Sequence, residues 1–452
     1  MLFERKTIRR LLEWKKLPDR KPLLIRGARQ VGKSTLIRQF AGTFTHYIEV
    51  NLEKEQYRRL FEQIDDIKYL TDAIFLTAQL PRTDQPTLLF LDEIQEAPKA
   101  IQQLRYFYEE MPQIHVIAAG SLLEFALKKV PSFPVGRIEQ RVLHPFDFEE
   151  FLMALGHQQA LDELRTVPCH EYGHQILMDL FHTYTLIGGM PEVIRTYITE
   201  GSVANLGRIY DSLWQSYRDD AEKYASNPSE RKIIRHILET APAEKDRISF
   251  EGFGHSVYRS RETGEALRAL DLARVIRLVY PATATVPPMN EDPKKRPRLQ
   301  FLDTGLLNWA LRIQPEMMGI HDLQSVYRGR IMQHMIIQEL QAQYDSPLYR
   351  PHFWVREKAK SSAEVDLLFP YKQFLIPIEI KSGSAGKLRS LHQFIERSGH
   401  PYAVRLLGNR FSVEKVTTPG GILYLLMNLP YYLGARIPQY MEWFVSQYPM
   451  KT

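Results

Sequence analysis

The chain has 452 residues, 44% of them hydrophobic and 25% charged; that balance excludes a disordered or fibrous protein, and the length suits about two or three domains better than one hydrophobic core. Its 59 Lys and Arg outweigh 53 Asp and Glu to give +6, with a pI near 9.0, which permits nucleic acid or another acidic partner without requiring one. Cys169 is the single cysteine, which excludes an intrachain disulfide and a cysteine-based metal cluster and fits a reducing, cytoplasmic compartment.

Residues 1–16 mix charges with Leu and Ile at helical spacing, the pattern of an amphipathic helix rather than a signal peptide. From residue 21 to about 148, short apolar runs alternate with helical stretches, as in open α/β sheets. Strands are expected at 22–26, 46–51, 87–91, 115–119 and 137–143, all rich in Val, Ile, Leu or Tyr, with helices such as 34–40 and 101–110 between them. From 148 to about 280 helical periodicity dominates, broken at 187–193 by the tight-turn punctuation IGGMPEV. There, 230–238, 249–257 and 264–270 predict three short helices before a strand at 275–280, the order of a winged helix. The Pro-rich, basic run PPMNEDPKKRPR at 287–298 reads as a wing or exposed loop. A last α/β segment follows, with a helix at 331–344 and strands at 352–356, 365–369, 374–380 and 402–407. The uncharged stretch 416–435 is interrupted by Pro419, Asn428 and Pro430, too short in its apolar part to span a membrane.

Gly27-Ala28-Arg29-Gln30-Val31-Gly32-Lys33-Ser34 fits G-x-x-x-x-G-K-[ST] between an expected strand and an expected helix. Gly27 and Gly32 let the backbone wrap phosphates, and successive amides with the positive end of the next helix make an anion site. Lys33 would sit between the β- and γ-phosphates and the Ser34 hydroxyl on magnesium; with Thr35 these residues are the candidate ATP and Mg2+ binders. Thr87-Leu88-Leu89-Phe90-Leu91-Asp92-Glu93 is an apolar strand ending in two carboxylates. Asp92 would hold the magnesium and Glu93 would polarise the attacking water. Ser121, after the expected strand 115–119, is a candidate γ-phosphate sensor, or simply a helix N-cap.

RGARQVGKSTL, LFLDEIQ, AAGSLLE, GR followed by PFDFEEF, GGMPEV, FLDTGLL, EVDLLF and IPIEIKSG occur in this order along the chain. By them it resembles prokaryotic AAA-type P-loop ATPases whose C-terminal domain of unknown function has a nuclease-like core. The resemblance implies an AAA-like sheet with the P-loop strand near its centre, Ser121 as sensor, and Arg137 as an arginine finger completing a neighbour's site in a homo-oligomer; the bland reading of Arg137 is a salt bridge. The implied fold is α/β: an AAA-like ATPase domain at 1–150, a helical region at 151–225, a winged-helix-like region at 226–310 and a nuclease-like α/β domain at 311–452.

Asp366 on one expected strand and Glu379 and Lys381 on the next can converge, because alternation places Glu379 and Lys381 on one face. This resembles the PD-(D/E)XK nuclease core, with Glu339 on the preceding helix as an additional acid; Gln333 stands where relatives carry one. Metal-dependent cleavage and a degenerate fold whose charges hold strands together or bind DNA without cutting it both stay open. Cys169, His170 and His174 are close in sequence but lack a fourth ligand for zinc. Trp354 and Arg356 are candidates to touch nucleic acid. The leading function is ATP hydrolysis coupled to action on nucleic acid; the alternative is a nucleotide-regulated module that binds a protein partner, with the C-terminal core as scaffold.

Overall fold

Thr7–Lys16 forms helix α1, which buries Leu11 and Trp14 and carries Lys15 and Lys16 in its last turn, where cations suit the helix dipole. The structure, a computed structural model, describes residues 2–82, 85–120, 133–203, 205–225, 227–313, 325–358, 361–381 and 388–449. Its contacts divide the chain into two units, one of residues 1–145 with 272–275 and 344–348, the other of 146–271, 276–343 and 349–452.

In the first unit the elements after α1 run β1 (Leu23–Arg26), α2 (Lys33–Ala41), β2 (His46–Asn51), α3 (Glu55–Gln63), α4 (Ile67–Thr77), β3 (Thr87–Asp92), α5 (Pro98–Glu110), β4 (Ile114–Ala119) and β5 (Glu139–Val142). The strands form one parallel sheet in the order β2-β3-β4-β1-β5. β1, β3 and β4 are buried along their whole length, as continuous apolar strands of a sheet covered on both faces should be. Ile48, Leu89, Ile101, Leu104 and Val116 share one core cluster with Leu24. The P-loop strand β1 lies one place from the sheet edge, and β4 takes the centre, because among the described residues only β5 pairs beyond β1.

The second unit opens with helices α6 (Phe148–Leu155), α7 (Gln158–Arg165), α8 (His174–Ile187), α9 (Pro191–Glu200), α10 (Leu206–Tyr224), α11 (Pro228–Thr240) and α12 (Ser260–Leu272). The helix expected at 249–257 is only a one-turn 3-10 segment, Phe253–His255. Gly252 (φ 63°), Gly254 (φ 60°) and His255 (φ 61°) are left-handed there, which an α-helix cannot accommodate. Strand β6 (Ile276–Val279) leads through β7 (Pro281–Ala282) to β8 (Arg298–Phe301), with β6 and β8 antiparallel.

Next come α13 (Thr304–Ala310), α14 (Ser325–Ala342), β9 (His352–Lys358), β10 (Ser361–Tyr371), β11 (Phe374–Ile380), α15 (Arg389–Ser398), β12 (Tyr402–Leu407), β13 (Ser412–Thr417), β14 (Leu423–Pro430) and α16 (Ile437–Gln447). Their sheet has the order β13-β14-β12-β11-β10-β9-β7. β9, β10 and β11 are antiparallel neighbours, while β12, reached through α15, is parallel to β11. Among the described residues no helix is long and apolar enough to cross a membrane.

Candidate active site

Because the first sheet is parallel, β1, β3 and β4 all release their chains at the same edge, and the site gathers there. The loop after β1 closes over the start of α2. Gly32 caps that helix at φ 93° and ψ 24°, a left-handed geometry that favours glycine. At Gly27 a Cβ would lie 2.5 Å from the Leu143 carbonyl oxygen, so the backbone is too close to its neighbour for any side chain. Ala28 and Val31 are buried, while Gln30 and Thr35 are exposed and Arg29 and Ser34 lie between. The Lys33 ammonium is buried and donates to the carbonyls of Gly27 at 3.0 Å and Ala28 at 2.9 Å. The lysine thus spans the mouth of its own loop.

Ser34 Oγ donates to Asp92 Oδ2 at 2.8 Å, joining the start of α2 to the end of β3. Burial pushes the Asp92 carboxyl above its ordinary range, against the lowering effect of the Ser34 hydrogen bond. A buried carboxylate facing a neutral hydroxyl is a donor pair suited to a hard cation. Magnesium therefore fits Ser34 and Asp92. Glu93 follows in a left-handed conformation, φ 51° and ψ 48°, uncommon for a long side chain and of the kind that clusters at functional sites. Gln95, on the 3-10 turn Ile94–Glu96, donates Nε2 to Glu93 Oε2 at 2.6 Å. Sequence reasoning gave Gln95 no role, although it closes the LFLDEIQ stretch two places after the carboxylate pair.

Ser121 lies outside the described residues; Gly120, which precedes it, sits at the end of β4, between the strands that carry the loop and Asp92. Arg137 is exposed and ion-paired with Glu109, Nε to Oε1 2.7 Å. It precedes β5, whose first residue Glu139 registers with Leu23 at the start of β1. Arg137 is therefore at the opposite edge of the sheet from its own P-loop, which follows Arg26.

In the second unit, the register Leu367↔Ile378 places Asp366 beside Glu379 on adjacent strands. Asp366 accepts from Gln333 Nε2 at 2.9 Å and from the Ile380 amide at 2.9 Å, and Arg298 approaches its carboxylate at 3.6 Å. Lys381 pairs with Glu379, and Arg298 with Glu364. Burial, then the Asp366 charge, push the Glu379 carboxyl well up. Glu339 does not join this cluster. It is fully buried on another face of α14, accepting from the Phe148 amide at 3.0 Å and the Tyr184 hydroxyl at 2.8 Å. There it satisfies the first turn of α6, a structural task.

Trp354 is 0% exposed and donates to the Thr283 carbonyl, and Arg356 is engaged by Gln393 at 2.6 Å; burial removes the tryptophan from any nucleic-acid surface. Cys169 and His174 both lie against Tyr432, and His170 bonds Glu163. Among the described residues no group of three or more His, Cys, Asp or Glu is placed to hold a metal.

Family models match three stretches of the chain: an AAA domain at residues 19–152, Domain of unknown function (DUF8612) at 178–317 and Domain of unknown function (DUF4143) at 328–418. No curated protein matches. Among solved structures the chain is similar to the Walker-type ATPase PABY2304 of Pyrococcus abyssi, with 16% identity and a TM-score of 0.44 over 68% of this chain and 96% of that one. It is also similar to PH0952 of Pyrococcus horikoshii, a Signal Transduction ATPase with Numerous Domains protein with a tetratricopeptide repeat sensor, with 12% identity and a TM-score of 0.27 over 76% and 47%. A third is PCH-2 of C. elegans, with 12% identity and a TM-score of 0.27 over 44% and 63%. Likenesses this loose do not bear on function.

Proposed function

We propose that the AAA-type P-loop ATPase domain at residues 19–152 hydrolyses ATP with Lys33, Ser34, Asp92 and Glu93, and that the second unit couples turnover to nucleic acid. The observation that carries the first part is the junction of Ser34 with Asp92, at 2.8 Å, beside the loop that Lys33 spans. When phosphates enter, the loop amides and the start of α2 accept their charge, and Lys33 exchanges two neutral carbonyls for phosphate oxygens. Magnesium held by Ser34 and Asp92 would neutralise charge building on the phosphates. Glu93 orients a water in line with the terminal phosphate and takes its proton.

Support for nucleic acid comes from exposed Lys294 and Arg296 in the loop before β8, after a partial winged-helix order in which a 3-10 turn stands in place of the middle helix between α11 and α12 and the paired strands β6 and β8 follow. Phosphate contacts of this kind are sequence-independent and salt-sensitive. Helix α14, three antiparallel strands, helix α15 and the parallel strand β12 follow the order of the nuclease-like core. Asp366 is already engaged by Gln333, the Ile380 amide and Arg298, and Gln333 stands where a further acid was expected, so we assign this core to holding rather than cutting. The second reading is a nucleotide-regulated module that binds a protein partner, with this core as scaffold.

Steady-state ATP turnover with and without single-stranded, double-stranded and branched DNA or RNA separates the two. Stimulation by one of these forms, without cleavage in magnesium or manganese, is the expected result. Turnover indifferent to every form would transfer the role to a protein partner, and cleavage lost in Asp366→Ala would overturn the scaffold assignment.

A further inference from the structure

We propose that Gln95 is a positioning residue that locks the Glu93 carboxylate against the end of β4; the inference rests on the ATPase reading above. Glu93 leaves β3 in a left-handed turn, and its flexible side chain would otherwise sample several rotamers. The Gln95 amide holds Oε2 at 2.6 Å, leaving Oε1 as the oxygen that receives a proton from water. The other end of the same carboxamide is fixed by contact. A Cβ on Gly120 would lie 2.2 Å from Gln95 Oε1, so the amide lies on the backbone of the residue that follows β4. Gln95 Oε1 is buried and has no hydrogen-bond partner among the described residues.

The chemistry of position 95 is narrow. Glutamate there would repel Glu93, and methionine would keep the bulk but lose the N–H donor. A side chain at position 120 would push the amide off the β4 end without touching Glu93.

The test is the kinetics of ATP turnover in Gln95→Met, Gln95→Ala, Gly120→Ala and Glu93→Gln, singly and combined. Gln95→Met and Gln95→Ala should each lower kcat roughly tenfold with KM within about twofold, because a misaligned base damages the chemical step rather than binding. Glu93→Gln with Gln95→Ala should be no slower than Glu93→Gln alone, since Gln95 acts through that carboxylate. Gly120→Ala should reproduce the loss, and adding Gln95→Ala to it should cost nothing more. Wild-type kcat in Gln95→Met, or additive losses in the double variant, would overturn the proposal while leaving the ATPase reading intact. Wild-type turnover in Glu93→Gln would instead remove the assigned base, and this inference with it.

Discussion

Lys33 and Glu93 lie on different elements and serve different steps, so their removal should have different consequences. Lys33 is the buried cation of the loop; Lys33→Ala should weaken ATP binding by at least about tenfold, measured by titration with a fluorescent nucleotide. Glu93→Gln keeps the shape and loses the base, so it should bind ATP normally and turn it over roughly 10²–10⁴-fold more slowly. Equal turnover in Glu93→Gln and wild type would show that another group activates the water. At this scale the loop was legible because Gly27, Gly32, Lys33 and Ser34 each answer a chemical demand, down to the left-handed Gly32. Gln95 was not, since its meaning depends on a turn at Glu93 and on contact with Gly120, remote in sequence. Glu339 was misplaced for a similar reason. It stands six residues after Gln333 on α14, and at ~100° per residue the two project from different faces, so only Gln333 reaches Asp366.

Among the elements, the GGMPEV stretch was legible as a tight turn and FLDTGLL only as a stretch shared with the resembled family; their meeting was not legible, because it is tertiary. Asp303 caps α13 through the Leu306 amide at 3.1 Å, accepts from the Gly189 amide at 2.6 Å, and receives Gln338 of α14 at 3.3 Å. One buried carboxyl thereby ties the α8–α9 turn to two further helices. Burial holds this carboxyl up at about 6 despite those donors. Its folded value lies above the unfolded value of about 3.9, so the native state binds the proton more tightly. The stability it contributes is fully present below about pH 4 and is lost as pH rises through about 6, a change of about 3 kcal/mol. Urea unfolding of the second unit in wild type and Asp303→Asn, from pH 4 to pH 7.5, should show the wild type losing that amount relative to the variant. Buried His334 and His400, both held low by burial, cancel in the difference. A difference that stays flat with pH would refute the assignment. The β13–β14 hairpin also escaped sequence reading: β13 is largely exposed, and the uncharged run in β14 invited comparison with a membrane span rather than a buried strand.

For the whole molecule, the parallel sheet sets a limit that no single motif reveals. Arg137 precedes the strand whose first residue registers with Leu23, whereas the P-loop begins after Arg26. Four residues of strand at ~3.3 Å each put roughly 13 Å of sheet between the two levels, before the loops are counted. A guanidinium at that edge does not reach the γ-phosphate of its own chain without unravelling β5. If Arg137 stabilises the transition state, it does so for a second copy, and its exposed pairing with Glu109 is a contact that a neighbour's phosphate would replace. Removing a finger of this kind costs on the order of 10³-fold in turnover. Arg137→Ala alone should show such a loss, and Lys33→Ala alone should be inactive for its own reason. Mixed together, they should recover activity, because an Arg137→Ala subunit keeps an intact loop and a Lys33→Ala neighbour keeps an intact arginine. Turnover measured across mixing ratios, with mass determined by light scattering, gives the answer. A monomer with full activity, or Arg137→Ala at the wild-type rate, would reduce Arg137 to the surface ion pair it makes with Glu109.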